Sequence, residues 1–188
     1  MVQSLGRAGV SYLPAIVVLP PPAEYEPSSR WAGDTAAQRV GELSTVNQIV
    51  AHAIQTWRLP ARVERLALPS LLYTTHDLAH MNVALSKQDH RTGIAVATWE
   101  QADRRDSPRG ASAVLLHGLF VLQRWQGHSV GSRLLDFVTH WAKVRHLDGI
   151  SLRTWREAEG FFRTRGFDPL NDDQSSRELH PRRLWKAL

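Results

Sequence analysis

The sequence predicts one α/β domain in which a mixed sheet is covered by helices, and three observations carry that prediction. Two strand-like runs, Met81 to Ser86 and Gly93 to Glu100, flank the polar stretch KQDHRT and read as an antiparallel hairpin. The apolar run Ala113 to Leu122 leads through a small-residue loop into Ser132 to His146, an amphipathic stretch with Leu134, Leu135, Val138, Trp141 and Ala142 on one stripe. Gly149 to Trp155 and Glu157 to Arg165 then repeat the strand-then-helix order, and Gly166 stands where a left-handed helix cap belongs. A chain of 188 residues holds one such domain with a substantial core, not two with a linker.

In chain order, residues 1–37 are rich in Pro, Gly, Ser and Ala and include Pro20-Pro21-Pro22, which forbids continuous helix. They read as an N-terminal extension before a domain over 38–188. Arg39 to Leu43 reads as a short strand and Ser44 as a helix N-cap. Val46, Ile49, Val50, Ala53, Ile54 and Trp57 recur at helical spacing until Pro60 ends the run. Ala61 to Leu68 suggests a second helix, Pro69 to Met81 has no clear period, and Leu184 to Leu188 is a last apolar stretch.

Composition narrows the chemistry. The chain has no cysteine, which excludes disulfides, thiolate metal sites and cysteine nucleophiles. A net charge of +5 favours a polyanionic ligand, an RNA or an acidic protein without choosing among them. The longest apolar runs, Ala15 to Pro20 and Ala111 to Leu122, fall short of the roughly 18 to 20 residues of a membrane span. With no sustained apolar leader or small-residue cleavage site near Met1, a cytoplasmic location is expected.

The centre of the sequence is HGLFVLQRWQGHSVGSRLL, where a buried strand ends at Val121 and a Gly/Ser-rich loop opens a helix. Small residues let backbone approach an anion, and the helix start supplies unpaired N–H groups and a positive dipole end. The loop Gln126-Gly127-His128-Ser129-Val130-Gly131 resembles motif A of the GNAT superfamily of N-acetyltransferases, Gln/Arg-x-x-Gly-x-Gly/Ala, with Ser129 in place of the first glycine. A positive φ at Ser129 would be strained by its Cβ. LRTWREAEGFFRTRGF resembles motif B, so the likeness covers Ala113 to Phe167 closely and extends loosely back to Arg39.

The resemblance implies a mostly antiparallel twisted sheet with helices on both faces, and acetyl-CoA as cofactor. It places the pyrophosphate on Gln126, Gly127, His128, Ser129, Val130, Gly131 and Ser132. Pantetheine would run along Leu119, Phe120 and Val121 between two splayed strands, packed by Ala158, Phe161 and Phe162, with Trp155 at the thioester end. It further implies direct transfer of an acetyl group to a primary amine. The acceptor stays open among small amines, amino acids, antibiotics, protein amines and aminoacyl-tRNA, and such domains often pair as homodimers.

The family's usual acid, a Tyr, stands here as Phe162, and a common Asn at the strand end as Trp155. Phe162 donates no proton, which motivates a second reading: a catalytically weakened acyl-CoA sensor or scaffold. His117 shares strand parity with Leu119 and Val121 and is the candidate general base, with Glu100 the second candidate. A core-edge histidine bonded to backbone is the alternative.

Three other patterns compete. Gly127-His128-Ser129-Val130-Gly131 matches the Gly-x-Ser-x-Gly elbow of hydrolases, with Asp148 or Asp168 and His180 as partners for Ser129. Against it, LLHG and the elbow should be separated by a crossover of about 30 residues, whereas His117 and Ser129 stand 12 positions apart. His76 and His80 have the i, i+4 spacing of a zinc site but no third ligand is evident, so no metal is expected. Trp125, Trp155 and Trp185 lie amid arginines, yet no nucleic-acid motif accompanies them.

Overall fold

The computed structural model describes residues 15–19, 36–57, 61–88, 92–103, 106–170 and 182–188. Its elements are β1 (Ala15–Leu19), α1 (Ala36–Gln55), α2 (Ala61–Leu71), α3 (Thr75–His80), β2 (Asn82–Gln88), β3 (Thr92–Gln101), β4 (Ala113–Val121), α4 (Val130–Val144), β5 (Gly149–Thr154), α5 (Arg156–Arg163), β6 (Asp168–Pro169) and β7 (Arg182–Ala187). The sheet runs β1-β2-β3-β4-β5-β7-β6. Every neighbouring pair is antiparallel except β4 and β5, which are parallel. The mixed, mostly antiparallel sheet is therefore the one expected.

Apolar side chains alternate along the strands and supply two cores, one for each face. On one face α1 and α3 pack Val46, Val50, Ile54 and Leu78 against Val83, Leu85, Val96 and Phe120. On the other, α4 and α5 bring Leu134, Leu135, Val138 and Phe162 onto Trp99, Val114, Leu116 and Leu152. Trp99 is fully buried, with Phe137 and Trp141 of α4 edge-on to it at 6.0 and 5.8 Å.

Two expectations are corrected. The proposed strand Arg39 to Leu43 is the first half of α1, and Ser44 is an exposed mid-helix residue, not a cap. Leu43 lies three and seven positions before Val46 and Val50 and packs with them, so helical periodicity starts earlier than Ser44. Within the segment read as an extension, Ala15–Leu19 (AIVVL) pairs with β2 as an edge strand, because a β-branched run beside an open sheet edge gains a full ladder of hydrogen bonds. The rest of residues 1–35 lies outside the described residues.

Several local expectations hold. Gly166 has φ +81 at the end of α5. The unassigned stretch before β2 contains α3, held by a reciprocal cap: the Asp77 N–H donates to Thr74 Oγ1 (3.2 Å) and the Thr74 N–H to Asp77 Oδ2 (2.6 Å). These bonds hold the Asp77 carboxyl below the usual carboxylate range. α2 continues past Leu68 with Pro69 in its last turn.

Candidate active site

The cleft begins where the sheet parts. β4 pairs with β5 only from Ala113↔Gly149 to Leu116↔Leu152. Beyond that, Gly118 to Val121 stay with β3, while Arg153 and Thr154 stay with β7. The divergence coincides with an irregularity in which Thr98 opposes Gly118 and Trp99 opposes Leu116, leaving His117 as the extra residue of a β-bulge. The bulge resets alternation. Leu116 packs with the α4 core before it; after it Leu119 and Val121 do so, and Phe120 turns to the α1 core.

The bulge corrects the expected parity of His117 with Leu119 and Val121. His117 Nε2 lies 2.7 Å from Glu100 Oε1, and its ring is close enough to Asp77 of α3 to favour that carboxylate. The two candidate catalytic residues are thus brought together, part-exposed, with side-chain accessibilities of 27% and 38%. A carboxylate only accepts, so Nε2 of a neutral His117 carries the donated proton and Nδ1 is the basic atom.

At the far end of the wedge the chain leaves β4 through a 3₁₀ turn, Gln123–Trp125, and folds back. The Gln126 side chain donates to the Val121 carbonyl (3.1 Å), stapling loop to strand. Gly127 takes φ +77 and Ser129 φ +60, ψ 9. Arg133 is the first residue of α4 whose N–H finds a backbone acceptor, Ser129 O at 3.0 Å, so the N–H groups of Val130, Gly131 and Ser132 are left at the open helix end. Left-handed backbone costs an L-residue roughly 1–2 kcal/mol. Ser129→Gly is therefore expected to raise Tm by a few degrees in calorimetric scans without weakening anion binding at the loop; a fall in Tm would count against the strain.

Loop, strand and helices enclose a cleft of about 580 Å³, within the ordinary range of ligand sites. Leu119, Phe120, Val121, Gln126, Gly127, Ser129, Val130, Gly131 and Ser132 line it from β4, the loop and α4, and Ala158, Phe161 and Phe162 from α5. Two expected members stand aside. His128 turns its Nδ1 to the Gln126 carbonyl (2.9 Å) and its ring to Trp125, and Trp155 is the part-exposed N-cap of α5. Phe162 is buried between Phe161 and Phe167.

Sequence reasoning missed the wall supplied by Ala53, Thr56 and Trp57 at the end of α1, and it missed Arg165. The Arg165 guanidinium lies 3.8 Å over the Phe161 ring, donates to the Phe161 carbonyl at 2.8 Å and donates to Ser132 Oγ. That places a fixed positive charge beside the opening of α4. Phe161 and Arg165 are one helical turn apart, the only local signal for the pair.

Among the described residues the competing patterns do not assemble. Asp148 Oδ2 accepts from the Ser112 N–H and hydroxyl, Asp168 pairs with Arg163 at 3.1 Å, and His180 lies outside the described residues. His76 and His80 stack edge-on at 4.4 Å, and no group of three metal-ligating side chains occurs among the described residues. Trp185 lies on Gly149, where a Cβ would meet its ring at 2.2 Å. Among the described residues no helix is long and apolar enough to cross a membrane.

Residues 77–169 match the family model of the acetyltransferase (GNAT) domain. That stretch, from α3 to β6, is a GNAT domain. The PaiA N-acetyltransferase of Thermoplasma acidophilum, solved in complex with coenzyme A, superposes with TM-score 0.65 at 11% identity, covering 93% of this chain and 99% of that one. A GCN5-related N-acetyltransferase from Rhodopseudomonas palustris gives 0.63 at 15% identity over 93% and 96%. Tetrahymena GCN5 gives 0.57 at 12% identity over 79% and 87%. At these identities the likeness is one of fold. No curated protein sequence gives a significant match. In the GNAT domain the end of β4 beyond the bulge, the open end of α4 and α5 all line one cleft.

Proposed function

We propose that the GNAT domain transfers an acetyl group from acetyl-CoA to a primary amine. The observation that carries this reading is the continuity of the cleft: the open end of α4 and the stretch of β4 that has left β5, Leu119 to Val121, line one cavity. The residues fit the group. Gly127 and Ser129 already hold the left-handed backbone that a tight anion loop needs, Val130 to Ser132 offer N–H groups, and Arg165 adds positive charge. Leu119, Phe120 and Val121 would flank the pantetheine arm, and Ala158, Phe161 and Phe162 would pack against it. Bound acetyl-CoA would supply an electrophilic thioester carbonyl and a thiolate leaving group. His117 Nδ1 would take a proton from the acceptor's ammonium, freeing the amine lone pair for attack, and Glu100, bonded to Nε2, would hold the ring's tautomer and steady its charged form. Backbone N–H groups of β4 around Leu119 would face the developing oxyanion.

One observation favours the second reading, a binding protein with little turnover. Phe162 occupies the position of the usual acid and is closed in by Phe161 and Phe167, with no hydroxyl of its own. Calorimetric titration with acetyl-CoA, followed by thiol release in the presence of primary amines, separates the two. Saturable one-to-one binding with thiol release supports transfer; binding without release supports the sensor; absence of binding overturns both.

A further inference from the structure

Resting on the coenzyme A reading, we propose that the hydroxyls of Tyr73 and Thr98 form a lock that holds the bulge of β4 in register and so aims the strand's unpaired backbone N–H groups at the thioester carbonyl. Tyr73 lies between α2 and α3, outside every motif. Its backbone is clamped by Asn47 of α1: the Tyr73 N–H donates to Asn47 Oδ1 and Asn47 Nδ2 donates to the Tyr73 carbonyl, both at 2.8 Å. The ring packs against the α1 core, and its hydroxyl lies 2.7 Å from Thr98 Oγ1. Thr98 is the last residue of β3 in register before the irregularity, and its partner across the ladder is Gly118.

The same phenol presses on that partner. A Cβ on Gly118 would fall 2.5 Å from Tyr73 Oη and 2.4 Å from Phe120 Cε2, so only glycine lets the hydroxyl reach the bulge. One polar group therefore touches β3 by a hydrogen bond and β4 by van der Waals contact, at the step where β4 parts from β5. Burial pushes the Tyr73 hydroxyl up to about 12, so it stays a neutral donor or acceptor across the working range instead of acting as an acid. Such a group positions; it does not transfer a proton. Tyr73 and Thr98 are accordingly positioning residues that act through Gly118 and the peptide groups following it.

The test is isotope-edited infrared spectroscopy of acetyl-CoA carrying ¹³C at the thioester carbonyl, bound to the full chain. Calorimetry on coenzyme A and acetyl-CoA is run with the same samples. The wild-type band is expected below that of free acetyl-CoA, as for a hydrogen-bonded carbonyl. In Tyr73→Phe and in Thr98→Val the band returns toward the free position while coenzyme A affinity is retained, and Thr98→Ser keeps the wild-type shift. A purely structural hydroxyl would lower Tm and leave the bound carbonyl unmoved, so an unchanged band in both variants overturns the lock. A wild-type band coincident with free acetyl-CoA overturns it as well. If the wild type binds neither ligand, the coenzyme A reading falls, and the lock with it.

Discussion

Gly131→Trp is expected to weaken coenzyme A binding by at least about 100-fold, or about 2.8 kcal/mol at 1.4 kcal/mol per decade, while the folded chain persists. Gly131 lies in the first turn of α4, where a Cβ would stand 3.4 Å from both Phe161 Cζ and Val121 Cγ2. Those two side chains are opposite walls of the cleft. A methyl group fits with a slight shift, so Gly131→Ala should lose little; an indole must occupy the space between β4 and α5 and cover the open N–H groups. The position is helical with no positive φ, so the backbone accepts either residue. Calorimetric titration beside circular dichroism checks this. Unchanged affinity in a folded Gly131→Trp protein would remove the loop from the binding site.

The parts of this architecture that sequence revealed are those set by neighbours in the chain. The passage from β4 through the Gly/Ser loop into α4 is contiguous, so one stretch of residues carries the strand pattern, the small residues and the amphipathic stripe together. Gly166 at the end of α5 is of the same kind, and so is the strain at Ser129, which does take φ +60. What stayed hidden depends on partners far along the chain. The bulge at His117 comes from the register of β3 against β4, and strand parity assumes a regular ladder that this pair lacks. Tyr73 meets Thr98 across 25 positions and Arg165 meets Ser132 across 33, contacts no periodicity encodes. The start of α1 was obscured differently, because Gly41 and Ser44 mimic a boundary within a helix whose length comes from packing on the sheet.

The catalytic assignment faces its most direct test at His117. In His117→Ala, kcat is expected to fall about 10²- to 10⁴-fold, the usual contribution of a positioned general base. The Km for acetyl-CoA should hold, since His117 does not line the cleft that would bind it. An imidazole acts as a base only when unprotonated, so wild-type turnover should climb with pH, and that rise should vanish in the variant. Glu100→Gln keeps a group within reach of Nε2 but replaces the carboxylate at 2.7 Å with a neutral amide, which also offers the ring a donor in place of an obligatory acceptor. Its loss should be smaller than that of His117→Ala and should disappear in the double variant, because Glu100 acts only through the ring. Steady-state rates across pH, using the amine the wild type acetylates fastest, decide the matter. Full turnover by His117→Ala at every pH would reduce the pair to a surface ion pair of the kind worth about 1 kcal/mol or less, and would leave the acceptor's proton to water.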